Sequence, residues 1–120
     1  MTYGRKTWIF ADGHLPPRGN EDPVGHESLL ITNATCEDAE IELEFLFCDR
    51  EPIEGVPLKA PAKRACVFRM DLPLGDTGFE VPKDTQYALV VRSTVPVVCL
   101  FGRMDRRANM AYYAVGSFSE

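Results

Sequence analysis

The segment Ala39–Phe47 reads AEIELEFLF and is the most direct guide to the fold class, because apolar and acidic residues alternate along it. Every second residue from Ala39 to Phe47 is apolar, whereas Glu40, Glu42 and Glu44 lie between them. A period of two is typical of a β-strand that buries one face. The segment therefore predicts a half-buried strand whose outer face is acidic.

Similar alternation recurs along the chain, with prolines and glycines separating the apolar runs. No window has the sustained period of an amphipathic helix. Strands are predicted at Lys6–Phe10, Glu27–Asn33, Ala39–Cys48, Val56–Leu58, Lys63–Asp71, Gln86–Ser93, Pro96–Met104 and Ala111–Phe118. About eight short strands in a single domain spanning residues 1–120 predict an all-β antiparallel sandwich or barrel.

Three segments carry more specific structural predictions. Ser93–Pro96 is predicted to be a hairpin turn. Pro96–Phe101 is apolar on both faces and predicts a central strand that begins at a proline. Ala11–His26 is predicted to be a long irregular loop, and loops of this length in compact domains are often functional or disordered.

Charge and hydropathy limit the classes of function. The chain has 13 Lys and Arg residues against 18 Asp and Glu residues, a net charge of −5. General nucleic-acid binding and docking on anionic lipid both need cationic surfaces, so neither is expected. No apolar run is long enough to span a bilayer, and no signal-peptide core follows the N-terminus. These features predict a cytoplasmic protein.

Two short charged motifs, each at the end of an apolar strand-like run, are candidate functional elements. Phe47–Pro52 reads FCDREP, and Arg103–Arg107 reads RMDRR. Each motif places Asp beside Arg, and such charges are costly to bury unless they are paired or hydrogen-bonded. These residues are therefore expected either to form a structural network, within the chain or across a subunit interface, or to bind a polar partner.

Patterns for catalysis and for metal binding are weak. The only histidines, His14 and His26, lack the His-x-His spacing of cupin-type sites, and neither a metal site nor a cofactor is predicted. The sequence has no Gly-x-Ser-x-Gly elbow and no phosphate-binding glycine loop. Asp49 and Asp105 are expected to stay ionised beside arginine, which makes them poor acids. The chain is predicted not to be an enzyme.

Binding of a small polar molecule such as a sugar has more support among the residues. Trp8, the sole tryptophan, lies either in the core or on the surface as a platform for the apolar face of a sugar ring. Arginine can hold a carboxylate with two parallel hydrogen bonds. The polar groups for such a site would come from Asp49, Arg50, Arg69, Arg103 and Asp105.

A series of short motifs, distributed over nearly the whole chain, resembles one known family. The motifs are Thr7-Trp8, Ala11-Asp12-Gly13, Pro16-Pro17, Gly25-His26-Glu27-Ser28, Thr32-Asn33, Phe47-Cys48-Asp49-Arg50-Glu51-Pro52, Val56-Pro57, Ala60-Pro61-Ala62-Lys63-Arg64, Val81-Pro82, Tyr87-Ala88, Ser93-Thr94-Val95-Pro96-Val97-Val98 and Arg103-Met104-Asp105-Arg106-Arg107. They resemble the cyanobacterial sensory rhodopsin transducer family, whose namesake is a soluble partner of a microbial rhodopsin.

The resemblance implies a jelly-roll-like β-sandwich that assembles as a ring-like homotetramer. It also implies a function, which is either binding of a small polar ligand such as a sugar or signal transduction through a membrane photoreceptor or another protein. The candidate ligand-binding residues carried over by position, none of them catalytic, are Trp8, Glu27, Asp49, Arg50, Arg103 and Asp105. For a transducer, the acidic face at Glu40, Glu42 and Glu44 could meet a basic cytoplasmic surface.

Overall fold

The computed structural model describes residues 2–20, 22–106 and 111–120. Its strands are β1 (Arg5–His14), β2 (His26–Asn33), β3 (Ala39–Phe47), β4 (Ile53–Ala60), β5 (Arg64–Arg69), β6 (Gln86–Asp105), β7 (Ala111–Ala114) and β8 (Ser117–Ser119). All of the strand pairings are antiparallel. The predicted all-β antiparallel sandwich is confirmed.

The two layers share one long strand. Sheet A has the order β4-β3-β6-β1-β8, and sheet B consists of β5, β2, β6 and β7. The first part of β6 lies between β3 and β1, where Val91 pairs with both Leu43 and Trp8. Its second part pairs with β2 in sheet B, where Phe101 faces Leu29. Strand β6 therefore crosses from one layer to the other.

The hairpin predicted at Ser93–Pro96 is wrong, because the residues on either side of this segment belong to one continuous strand and do not pair with each other. Arg92 pairs with Thr7 and Val97 pairs with Arg5, with a register irregularity between them. One continuous strand thus turns the corner between the two sheets. Pro96 consequently lies inside β6, not at the beginning of a separate strand.

Other boundaries also differ from the prediction. Strand β1 continues to His14, so the described irregular connection comprises residues 15–20 and 22–25 and not the whole of Ala11–His26. The single strand predicted at Ala111–Phe118 is two strands, β7 and β8. They pair with β6 in sheet B and with β1 in sheet A, respectively. The chain passes from one layer to the other between them, at Val115 and Gly116, where the strand is interrupted.

The core lies between the inward faces of the two sheets. The alternation predicted for Ala39–Phe47 is confirmed, because Leu43 and Phe45 are fully buried whereas Glu40 and Glu42 are exposed. Aromatic rings meet at the centre, where Phe45 packs on Tyr87 with 5.4 Å between the ring centroids. The core contains residues of β1, β2, β3, β4 and β6, and Cys66 and Phe68 of β5 pack against it.

The outer side of sheet B is apolar and uncovered. Val98 and Leu100 of β6 are 44% and 47% exposed, and Val67 of β5 is 63% exposed. Leu30 of β2 pairs with both Val67 and Leu100, so these side chains form one contiguous surface. We call Leu30, Val67, Val98 and Leu100 the sheet-B face. The segment Pro96–Phe101 is therefore apolar on both sides, but only one side is buried.

Candidate functional site

One end of the sandwich, which we call the rim, contains both ends of β6. Tyr87 near the beginning of β6 pairs with Gly13 of β1 and Phe47 of β3. Arg103 near the end of β6 pairs with Glu27 of β2. Because β6 turns over at its middle, residues far apart in sequence meet here.

A buried polar network joins β1, β2 and β6 at the rim. Oε1 of Glu27 accepts a 2.6 Å hydrogen bond from the Tyr87 hydroxyl. Oε2 of Glu27 accepts hydrogen bonds from the backbone N–H of His14 at 2.8 Å and from Nε of Arg103 at 3.2 Å. Glu27 and Arg103 point inward because they continue the buried alternation of Leu29 and Phe101.

The burial of this network shifts the pKa values of its members. Burial raises the pKa of Glu27 above the usual glutamate value, although the contacts with Tyr87, the His14 backbone and Arg103 oppose the shift. Burial and the Glu27 carboxylate together raise the pKa of Tyr87 well above its usual value. Among the described residues, no buried side-chain nitrogen or oxygen lacks a hydrogen-bond partner. The groups at the centre of the network are therefore satisfied from within the chain.

Asp12 extends the network toward solvent. Nη2 of Arg103 donates to the Asp12 carbonyl oxygen at 2.7 Å and to its Oδ1 at 3.2 Å. Gln86 donates to the same Oδ1 at 3.0 Å, and this hydrogen bond, together with Arg103, lowers the pKa of Asp12. Next to Asp12 on β1, Nε2 of His14 lies 3.0 Å from Oδ1 of Asp84. The end of β1 is thus held by polar side-chain contacts on both sides.

Asp49 and Arg50 form a separate, exposed pair beyond the end of β3. Nε of Arg50 donates to Oδ1 of Asp49 at 3.0 Å, and Nη2 donates to Oδ2 at 3.1 Å. The hydrogen bond from Arg50 lowers the pKa of Asp49. The guanidinium carbon lies 5.1 Å from the centroid of the Phe47 ring, within range of a cation–π contact. Because both side chains face solvent, an external polar group can compete for them.

The structure brings together some of the predicted ligand-binding residues and separates others. Glu27 and Arg103 are in direct contact, whereas Asp105 is the last residue of β6, is half-buried and also has a partner. Trp8 lies further along β1, where its indole N–H donates to the Val97 carbonyl at 3.0 Å and its ring stacks on Phe10. It thus contacts the corner of β6. Arg107 of the second motif lies outside the described residues.

Sequence reasoning did not assign Tyr87 to this site. A signal was present, because Tyr87, Leu89 and Val91 alternate as a buried strand face. A tyrosine in such a position must bring its hydroxyl to a hydrogen-bond partner. The partner, Glu27, is 60 residues away in sequence, and only the fold identifies it.

A groove of about 390 Å³ lies on the outer face of sheet A, away from the rim network. We call it the acidic groove. It is lined by residues of β3, β4 and β6 that include Glu40, Glu42, Gly55, Pro57, Arg92 and Thr94. Pro57 and Arg92 flank Glu42 in the strand register. The acidic face predicted from Ala39–Phe47 therefore forms part of a concave surface.

Metal binding and membrane crossing can be assessed for the described part of the chain. Within it, no three His, Cys, Asp or Glu side chains gather into a group that could hold a metal ion. None of its segments forms a helix capable of crossing a membrane.

Comparison with known proteins identifies the family. A family model described as the Anabaena sensory rhodopsin transducer matches residues 3–119. The solved structure of Thermotoga maritima 1070 is 30% identical, with 98% of this chain and 96% of that chain covered and a TM-score of 0.84. The structure of the Anabaena sensory rhodopsin transducer is 36% identical, with 89% and 95% covered and a TM-score of 0.73. No curated protein sequence matches. The predicted resemblance is confirmed, and the chain belongs to the Anabaena sensory rhodopsin transducer family.

Proposed function

We propose that this chain is a non-enzymatic signalling adapter that assembles as a homo-oligomer and binds a partner protein. The observation that carries the proposal is the sheet-B face, where Val67, Val98 and Leu100 are exposed side by side. Monomeric soluble proteins seldom expose contiguous apolar patches unless these are functional, and such patches commonly mark protein–protein contacts. A second copy of the chain carries the same apolar face, so two copies can cover this face by binding each other.

Replacing Val67 and Leu100 together by lysine should disrupt the oligomer, because the two cations that each copy brings to the interface would be buried without partners. Sedimentation velocity and light scattering measure the result. For a homotetramer, we expect four times the chain mass of 13.4 kDa for the parent protein and a smaller species for the variant. Leu46→Lys is the matched control, because Leu46 is an exposed leucine on the other sheet. A parent protein that sediments as a monomer would contradict self-assembly.

The proposed partner is the cytoplasmic side of a membrane photoreceptor, which would place the chain in the cytoplasm. Its relative from Anabaena is named as a sensory rhodopsin transducer, and the two chains are 36% identical. The net charge of −5 also favours such a partner, since cytoplasmic loops of membrane proteins carry an excess of Lys and Arg. We expect the purified chain to bind a rhodopsin from the same organism in lipid nanodiscs, with an affinity that falls as salt rises. Absence of binding at low salt, or a genome without a rhodopsin, would rule out this partner.

A second candidate function is binding of a small polar ligand at the rim. It is favoured by the exposed Asp49–Arg50 pair, which lies at the same end of the sandwich as Glu27 and Arg103. A sugar or sugar acid at about one hundred times its Kd should stabilise the protein by about 2.7 kcal/mol. A thermal-shift panel of sugars, sugar acids and sugar phosphates tests this, and Asp49→Asn combined with Arg50→Gln should abolish any shift. If no compound of the panel raises the melting temperature, the rim does not bind such a ligand.

A further inference from the structure

We propose that the acidic groove is the docking site for an extended segment of the partner protein that carries Lys or Arg. This inference rests on the proposed function only in requiring a protein partner. The groove crosses β4, β3 and β6 on the outer face of sheet A. Because β3 is paired on both sides, an incoming segment cannot extend the sheet there and must bind through side chains.

The shape of the groove comes from a local irregularity in β4. Leu43 pairs with Val56 and Phe45 pairs with Ile53, so β4 has one more residue than β3 in this interval. The interval contains Gly55, whose φ of 73° is in the left-handed region that glycine adopts without strain. A Cβ atom at Gly55 would have nothing within 4 Å. The bulge, which lies opposite Glu44, therefore leaves open space at Gly55, and Gly55 lines the groove together with Glu42.

Several charged side chains around the groove are already paired with one another. Glu44 is paired with Arg92 at 3.0 Å, so the arginine that lines the groove is already neutralised. Glu40 lies 4.0 Å from Lys59, which is also 3.4 Å from Asp38.

Glu42, by contrast, forms no ion pair or side-chain hydrogen bond within the described residues, and it is exposed. An incoming Lys or Arg can reach Glu42 without first breaking an internal salt bridge. Ser93 and Thr94 at one end of the groove offer hydroxyl groups to the backbone or side chains of the segment. The site therefore selects basic over acidic segments by charge.

The test uses a fluorescent peptide of about eight residues that alternates Arg and Ser, long enough to cross a three-stranded face. A peptide with Gln in place of Arg is the ligand control. Anisotropy titrations compare the parent protein with Glu42→Gln and Thr94→Trp, which remove the charge and fill the groove. Glu51→Gln is the matched control, because Glu51 is exposed and lies beyond the end of β3 at the rim.

We expect Glu42→Gln to weaken binding of the Arg peptide about five-fold, as for the loss of one exposed ion pair. Thr94→Trp should weaken it at least as much, and Glu51→Gln should leave it unchanged. Equal binding of the Gln peptide, or equal losses in Glu42→Gln and Glu51→Gln, would overturn the groove as the site.

The nanodisc assay separates this inference from the proposed function. If the parent chain binds a rhodopsin and Glu42→Gln and Thr94→Trp bind it equally well, the groove inference fails and the adapter stands. If the Arg peptide binds in the groove but no rhodopsin binds, the photoreceptor is excluded and the groove inference stands.

Discussion

Replacing Arg103 by methionine should lower the free energy of unfolding by about 3–5 kcal/mol, because it leaves the Glu27 carboxylate buried without its cation. The side chain of Arg103 is 10% exposed and that of Glu27 is 0% exposed, so water cannot take the place of the guanidinium. Domains are stable by only about 5–15 kcal/mol, so the loss should be a large part of the total. Urea unfolding followed by the fluorescence of Trp8 measures it.

Arg92→Met is the matched control, since it makes the same substitution on the same strand. Its ion pair with Glu44 is 53% exposed on the arginine side and 13% exposed on the glutamate side, so water can reach the pair and the loss should be smaller than for Arg103. Glu27→Gln combined with Arg103→Met removes the buried charge as well as its partner and should recover at least half of the loss. If the Arg103→Met variant is as stable as the Arg92→Met control, the network does not contain a desolvated charge.

The same variant should have a distinctive pH dependence. Burial already raises the pKa of Glu27 above its usual value of 4.5, and loss of Arg103 should raise it further. The folded protein then holds the proton more tightly than the unfolded chain does. Stability relative to the Arg92→Met control should therefore fall as the pH rises from 4.5 toward the pKa of the folded state. If the difference in stability between the Arg103→Met and Arg92→Met variants is independent of pH, the loss of stability comes from packing alone.

Replacing Gly13 by alanine should cost about 1–3 kcal/mol through overpacking of the core. A Cβ atom at Gly13 would lie 2.5 Å from Cζ and 2.8 Å from Cδ2 of Tyr87. The ring cannot move away easily, because Tyr87 is 2% exposed and its hydroxyl is held by Glu27 at 2.6 Å. Urea unfolding again measures the effect, as a lower denaturation midpoint with an unchanged slope.

Gly116→Ala is the control for this prediction, since a Cβ atom there would have nothing within 4 Å. It should be neutral or slightly stabilising, because alanine restricts the unfolded chain. Tyr87→Leu removes the ring, so Gly13→Ala should cost less in that background than in the parent protein. If the cost is the same in both backgrounds, close contact with Tyr87 does not explain the glycine.

Strand β6 contributes residues to the rim and to both outer faces of the sandwich. Arg103 belongs to the rim network, Arg92 to the acidic groove, and Leu100 to the sheet-B face. A substitution in β6 that weakens binding could therefore act by destabilising the fold. Binding assays on such variants, Thr94→Trp included, need a parallel unfolding measurement, whereas Glu42→Gln changes a residue of β3.

The local alternation of apolar and polar residues was sufficient to predict most strands. In Ala39–Phe47 it identified both the buried face and the acidic face, and the structure has both. It could not predict the path of β6, because residues Ser93–Pro96 resemble a turn in sequence. A tight turn and a strand that bends into a second sheet have similar local composition, and only the pairing of Val97 with Arg5 distinguishes them.

The order of motifs along the chain was also sufficient to identify the family, since short motifs in a given order survive changes in the residues between them. The individual roles of the motif residues were not determined in this way. Asp49-Arg50 and Arg103 have similar surroundings in sequence, yet the first pair is exposed and Arg103 is buried. The difference arises because Arg103 occupies an inward position of β6, whereas Asp49 and Arg50 lie beyond the end of β3.

The sequence by itself determined the fold class, the acidic face and the family, because alternation and motif order are properties of neighbouring residues. Only the tertiary structure decided which charged side chains are paired within the chain and which can bind a partner. Glu27 meets Tyr87 and Arg103 across 60 and 76 residues, and Glu42 is left without an ion pair among the described residues. Pairing of this kind depends on distances in space, and these follow from how β6 connects the two sheets.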